Sequence, residues 1–211
     1  HLGVRRQRQM CIRDRTETMY LTSTKADEPW MPGELRPYGD VPMSPAAGVL
    51  NYGQGLFEGM KAYRTSKDRI VFFRPEENAR RMQRGADRLK MPPVPESVFV
   101  DAVEQVVSAN QHWVPPSGKG AMYVRPLLMG SGPVLGVSPA PSYTFLVYVT
   151  PVGPYFKGGM NAIDLLMSEH HHRAAPGGSG GVKAIGNYAP GMKPSKEAKA
   201  LGFAEVIYLD A

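Results

Sequence analysis

Gly177-Gly178-Ser179-Gly180-Gly181-Val182-Lys183-Ala184-Ile185-Gly186-Asn187-Tyr188 sets a single lysine among residues that free the backbone. Glycines let the main chain approach a ligand closely and take positive φ values that a Cβ atom disfavours. Lys183 is therefore read as a reactive amine, against the plainer alternative of a solvated lysine in a surface loop. A phosphate loop of the G-x-x-x-x-G-K-[ST] kind is excluded, because Val182 precedes Lys183 and Ala184 follows it. The best-known use of such an amine is a Schiff base with the aldehyde of pyridoxal 5'-phosphate, which then serves as an electron sink.

Downstream of the lysine, the pattern predicts a helix from Lys193 to Leu201, a stop at Gly202 and a strand from Phe203 to Leu209. Upstream, Ala162 to Met167 reads as a strand, followed by His170-His171-His172-Arg173. Three consecutive residues of a strand cannot all face one ion, and no Cys, Asp or Glu sits at a ligand spacing, so no metal is expected. The crowded prolines and glycines from Pro151 to Gly159 mark a linker, assigned to 152–159, between a first domain at 16–151 and a second from 160 to 211.

In the first domain, Thr16 to Val49 suggests an edge strand around Met19-Tyr20-Leu21 and then irregular loop. Leu50 to Arg64 is a turn-rich segment leading into a strand, and Arg69 to Phe73 is a second short strand. Pro75 opens a helix to about Met91, with Ala79, Met82, Ala86 and Leu89 on its apolar face. Arg81, Gly85 and Arg88 fall on another stripe, where an arginine one turn from a glycine suits a phosphate and equally suits a solvated basic face. A second helix, Glu96 to His112, buries Phe99, Ala102, Val103 and Val106. The run Ala121 to Met129 reads as a strand whose alternation sends Tyr123 and Arg125 to one face, the mark of a strand lining a site. Pro126 places that strand at an edge or a bulge. Tyr143 to Thr150 reads as a strand buried on both faces. The mixture of strands and helices predicts an α/β (α+β) chain.

Several of these strings, in the same order, resemble the branched-chain aminotransferases, pyridoxal-phosphate enzymes of fold type IV. They are Leu50-Asn51-Tyr52-Gly53-Gln54-Gly55-Leu56-Phe57-Glu58-Gly59, Asn78-Ala79-Arg80-Arg81-Met82, the strand around Tyr123 and Arg125, and Lys183-Ala184-Ile185-Gly186-Asn187-Tyr188. The resemblance implies two domains, a small N-terminal α/β domain and a larger cofactor-binding one, and transfer of an amino group from leucine, isoleucine or valine to 2-oxoglutarate. It implies that Lys183 carries pyridoxal 5'-phosphate and moves the proton, that Arg81 anchors the phosphate, and that Tyr188 bonds the phenolic oxygen. Tyr52, Phe57, Tyr123 and Arg125 are then substrate-binding residues. For Tyr52 and Phe57 ordinary core packing is the competing reading.

The family's glutamate for the pyridine nitrogen and its second phosphate segment find no counterpart before Ala211, so the chain is expected to be a C-terminally truncated fragment, inactive alone, of a homodimeric enzyme. D-amino-acid transaminases and aminodeoxychorismate lyases share the fold and are the alternative activities.

The chain has 211 residues, 42% of them hydrophobic, enough to bury a core. Its net charge of +6 falls to +2 without the arginines at 5, 6, 8, 13 and 15 and Asp14, so the basic character sits in a tail, 1–15, read as non-native. A basic nucleic-acid-binding module is the alternative from another class, and no nucleic-acid or membrane partner is expected. The single cysteine, Cys11, agrees with a reducing compartment, taken as the cytoplasm with a plastid or mitochondrion as alternatives.

Overall fold

The computed structural model describes residues 16–153 and 161–209. The tail at 1–15 and most of the expected linker lie outside the described residues. Elements follow in the order β1 (Thr18–Lys25), β2 (Glu34–Pro37), α1 (Gly48–Tyr52), β3 (Gly55–Phe57), β4 (Met60–Arg64), β5 (Ile70–Phe72), α2 (Pro75–Arg88), α3 (Glu96–Ala109), β6 (Ala121–Gly130), β7 (Ser142–Val152), β8 (Leu165–Ser168), α4 (Met192–Ala200) and β9 (Glu205–Tyr208).

The first seven strands form one sheet in the order β2-β1-β7-β6-β4-β5, with β3 also on β6, and every pairing in it is antiparallel. β8 and β9 pair in parallel as a separate two-stranded sheet. Alternation along β6 sends Met122, Val124 and Leu128 into the core, where they join Ala79, Met82 and Ala86 of α2 and Phe99, Val103 and Val106 of α3. Tyr123, Arg125 and Leu127 are left on the opposite, half-open face. The two apolar helix stripes read from the sequence therefore do cover one side of the sheet.

Two expectations about strands are corrected. β1 is an interior strand, paired with both β2 and β7, and β2 is the edge. The edge was hidden because Glu34-Leu35-Arg36-Pro37 is exposed at every position and carries no apolar alternation. Pro126 lies inside a central strand, opposite Val147 of β7. On its other side β3 and β4 continue one register, Phe57 opposite Leu127 and Met60 opposite Val124, with Glu58 and Gly59 between them. Proline has no N–H to give, so the ladder is interrupted there; its carbonyl still accepts the Glu58 N–H at 2.8 Å.

Ends also shift. α2 stops at Arg88, three residues short of Met91, and the chain leaves it through Lys90 at φ 51° ahead of Pro92-Pro93. α3 stops at Ala109, and Gln111–Trp113 forms a 3-10 turn. β8 begins at Leu165, not Ala162, and β9 covers only Glu205–Tyr208 of the expected strand.

Asn110, fully buried after α3, ties that helix to β1: its Oδ1 accepts the N–H groups of Glu17 at 3.1 Å and Thr18 at 3.2 Å, and its Nδ2 donates to the carbonyls of Thr18 at 3.0 Å and Val106 at 2.7 Å. Asn110→Ala removes the side-chain partner of the Glu17 and Thr18 N–H groups and of the Thr18 carbonyl, and is expected to cost about 3 kcal/mol of stability. Urea unfolding measures this, and a loss below about 1 kcal/mol would show that β1 and α3 are held by packing alone.

Candidate active site

Four separate segments bring their polar side chains to one place. The lysine segment docks on β3: Leu56 and Ala184 form an antiparallel bridge, and the Phe57 N–H donates to the Lys183 carbonyl at 3.2 Å. That contact sets Lys183 beside Phe57, with Nζ 4.5 Å from the ring centroid. Nζ also donates to Tyr188 Oη at 2.9 Å, and the Tyr188 and Phe57 rings lie 4.7 Å apart at a tilt of 59°.

The glycine run before the lysine is shaped by Asn187. Its Nδ2 donates to the carbonyls of Ser179 at 2.7 Å and Val182 at 2.9 Å, while the Ser179 hydroxyl donates to its Oδ1 at 2.6 Å. Two glycines are required by geometry: Gly177 sits at φ 76°, and a Cβ on Gly180 would lie 2.5 Å from that of Ala174. Arg88 Nη2 donates to the Gly177 carbonyl at 3.0 Å. The third member of the predicted basic stripe thus holds the loop itself.

The Arg125 guanidinium also lies over the Phe57 ring, at 4.4 Å from the centroid, and donates through Nη2 to Tyr123 Oη at 2.9 Å. Phe57 therefore has two cationic side chains within the range of attraction by an aromatic face. Arg125 Nε is buried without a hydrogen-bond partner among the described residues. A buried N–H left unpaired is costly, and an anionic ligand is the natural acceptor for it.

Arg81 faces β3 from α2. Its Nε donates to Oε1 of Glu58 at 2.7 Å and its Nη2 to Oε2 at 2.6 Å, a two-bonded ion pair on a carboxylate with no exposure at all. These hydrogen bonds, with a further electrostatic contribution from Tyr188, raise the Arg81 pKa above its ordinary value against an opposing effect of burial. Arg80, by contrast, points to Glu77 and Glu96 on the exposed side.

Lys183, Tyr188, Phe57, Tyr123 and Arg125 are thus gathered, and Arg81 holds the Glu58 carboxylate one residue beyond Phe57. Tyr52 is not: its hydroxyl accepts the Gly136 N–H at 2.6 Å, and it lines a different cleft of about 440 Å³ with Leu89, Arg173, Ser179 and Asn187. Glu58 was missed in the sequence reading, as was Asn187 as a clamp. Glu58 lies 23 residues from Arg81, and no spacing rule connects a strand residue to a helix that far away. Among the described residues no group of His, Cys, Asp and Glu is placed to hold a metal ion, and no helix is long and apolar enough to cross a membrane.

The donor set fits an aromatic aldehyde bearing a phosphate. It offers an amine, a phenol beside it, and a guanidinium with one edge still open.

Comparison with known proteins agrees with this geometry. The family model described as Amino-transferase class IV matches residues 55–211. The chain is 55% identical over 193 residues to the branched-chain-amino-acid aminotransferase 2, chloroplastic, of Arabidopsis thaliana, covering 92% of this chain and 50% of that protein. It is 47% identical over 197 residues to a methionine aminotransferase, BCAT4, of the same plant, covering 93% of this chain and 55% of that one. Among solved structures it is similar to the T.th. branched-chain amino acid aminotransferase with pyridoxamine 5'-phosphate, at TM-score 0.75 and 26% identity, covering 92% of this chain and 60% of that one. The chain spans about half the length of the curated relatives it matches. By the extent of the family match, together with the fold type IV architecture of its structural neighbours, the chain belongs to the class IV amino-transferases.

Proposed function

We propose that this chain carries the lysine side of a branched-chain aminotransferase site, moving the amino group of leucine, isoleucine or valine to 2-oxoglutarate with pyridoxal 5'-phosphate. The observation that carries the reading is Lys183 Nζ held at 2.9 Å from Tyr188 Oη and against the face of Phe57, at the end of a clamped glycine loop. When bound, the cofactor supplies an aldehyde for the amine and a ring that accepts electrons from the substrate α-carbon. Lys183 Nζ holds the cofactor and, in its neutral form, shuttles the proton of the α-carbon. Tyr188 Oη, already hydrogen-bonded to that amine, is placed to bond the cofactor's phenolic oxygen. Arg81 anchors the phosphate through the edge that Glu58 leaves open. Phe57 walls the substrate side chain, and Tyr123 and Arg125 bound the substrate near a carboxylate. Tyr52 keeps a substrate role in this reading through the cleft that it shares with Ala184, Gly186 and Asn187.

The relatives favour this activity over D-amino-acid transamination, aminodeoxychorismate cleavage or nucleic-acid binding. The methionine aminotransferase among them makes side-chain preference the quantity an assay has to measure. The division at 152–159 into two domains and assembly as a homodimer belong to the same proposal, the latter tested by sedimentation. For the compartment we retain the cytoplasm, with an organelle as the alternative that names such as "chloroplastic" favour; cell fractionation separates them.

Two outcomes are expected. Borohydride reduction after mixing with pyridoxal phosphate should place the pyridoxyl label on Lys183 by peptide mapping and leave Lys183→Ala unlabelled; a label on Lys193 instead would sink the assignment. Arg81→Ala would strand the buried Glu58 charge, at a cost of about 3–5 kcal/mol in stability, so Arg81→Lys is the cleaner probe of binding. It keeps the charge and loses the fork, and should weaken cofactor binding about tenfold in an equilibrium titration. Equal affinity would move the phosphate contact elsewhere, with Arg80 the first residue to examine.

A further inference from the structure

Glu58 is the one acidic side chain among the described residues that is fully buried, and donors converge on it from α2 and from the next backbone N–H. Arg81 Nε and Nη2 reach it at 2.7 and 2.6 Å, Asn78 Nδ2 at 2.8 Å, and the Gly59 N–H at 3.3 Å. Packing gives no reason for a carboxylate here. A buried ion pair is weak evidence for stability, because the cost of taking both charges out of water offsets most of their attraction. What the pair does achieve is orientation. Its carboxylate end has no exposure, while the Arg81 side chain is 47% exposed, so the pair runs from the interior to solvent.

A guanidinium has five N–H donors in a planar fork. Glu58 takes the side edge, one N–H on Nε and one on Nη2. The remaining three donors, two on Nη1 and one on Nη2, make no hydrogen bond among the described residues, and one from each nitrogen forms the end edge. That edge is the shape that grips two phosphate oxygens at once. The backbone supports the same arrangement: Glu58 stands in the ladder gap opposite Pro126, and its alternation with Leu56 turns it toward α2, where Leu56 meets Gly85 one turn beyond Arg81.

We propose that Glu58 is a positioning residue that locks the side edge of Arg81, so that its end edge is presented to a bound phosphate monoester. The role rests on the cofactor reading above and extends it to a residue that touches neither the cofactor nor the substrate. It also makes Asn78 the support of the support, since its amide fixes one oxygen of the carboxylate.

The test compares the 211-residue chain with Glu58→Gln and Asn78→Ala, titrating each with pyridoxal phosphate, with unphosphorylated pyridoxal and with inorganic phosphate. Inorganic phosphate is followed by the Arg81 Nε–H resonance. Glu58→Gln should lose about tenfold in affinity for pyridoxal phosphate and for inorganic phosphate, with pyridoxal changed by less than about twofold. Asn78→Ala, which leaves the ion pair itself in place, should show the same selectivity at about threefold, and it decides between the outcomes if Glu58→Gln does not fold. Parallel loss of both aldehydes would mean that Glu58 only holds the fold, and an unchanged or stronger preference for the phosphorylated ligand would mean that it acts as a repelling charge; either overturns the proposal. Phosphate that perturbs Arg81 in a chain that never labels Lys183 would sink the cofactor reading and leave this inference standing. Labelling of Lys183 without a phosphate-selective loss does the reverse.

Discussion

The site depends on a short stretch of backbone contact, the Leu56 to Ala184 bridge with the Phe57 N–H bonded to the Lys183 carbonyl at 3.2 Å. The lysine segment belongs to no strand ladder of its own, and glycines precede it, so its conformational freedom has to be removed from outside. The bridge does this on one side by docking the chain to β3, itself part of the seven-stranded sheet. Asn187 does it on the other by closing the glycine loop on itself through three side-chain hydrogen bonds. The amine is then fixed by rigid surroundings on a segment that is not intrinsically rigid, which is what a reacting group asks of its scaffold.

Alternation along β3 and into Glu58 divides the contacts of this segment between two sides. Phe57 points to the half-open face, where its ring meets both Lys183 and Arg125. Glu58, one residue on, points to the helix side and takes the side edge of Arg81. Reversal of side-chain direction at each step of an extended chain is enough to send the Phe57 ring to the lysine and the Glu58 carboxylate to Arg81 from neighbouring residues. The missing N–H of Pro126 leaves the ladder open at that step, so a proline that looked like a marker of a sheet edge instead marks the place where β3 ends and the polar pair begins.

Much of this was legible because it depends on local periodicity. The stripes of α2 and α3 are buried as their spacing required, and Tyr123 and Arg125 share a face and a hydrogen bond as alternation along β6 required. Lys183 and Tyr188 are five residues apart and meet directly. What could not be read depends on partners distant in sequence. Nothing local in Glu34-Leu35-Arg36-Pro37 announces an edge strand, since its pairing with β1 is backbone hydrogen bonding that any side chains allow. Glu58 and Arg81 are joined only by the packing of α2 on β3. Tyr52, which the resemblance assigns to the substrate pocket, is held by the Gly136 N–H and lines a cleft with Ala184, Gly186 and Asn187 of the lysine segment.

A crystal structure of the chain grown with pyridoxal phosphate tests the central claim most directly, because it locates both ends of the ligand at once. The account predicts density continuous from Lys183 Nζ into the cofactor, with the phosphate on the end edge of Arg81 and the Glu58 pair intact on its side edge. A phosphate seated away from Arg81, or a cofactor joined to a lysine other than Lys183, would contradict it.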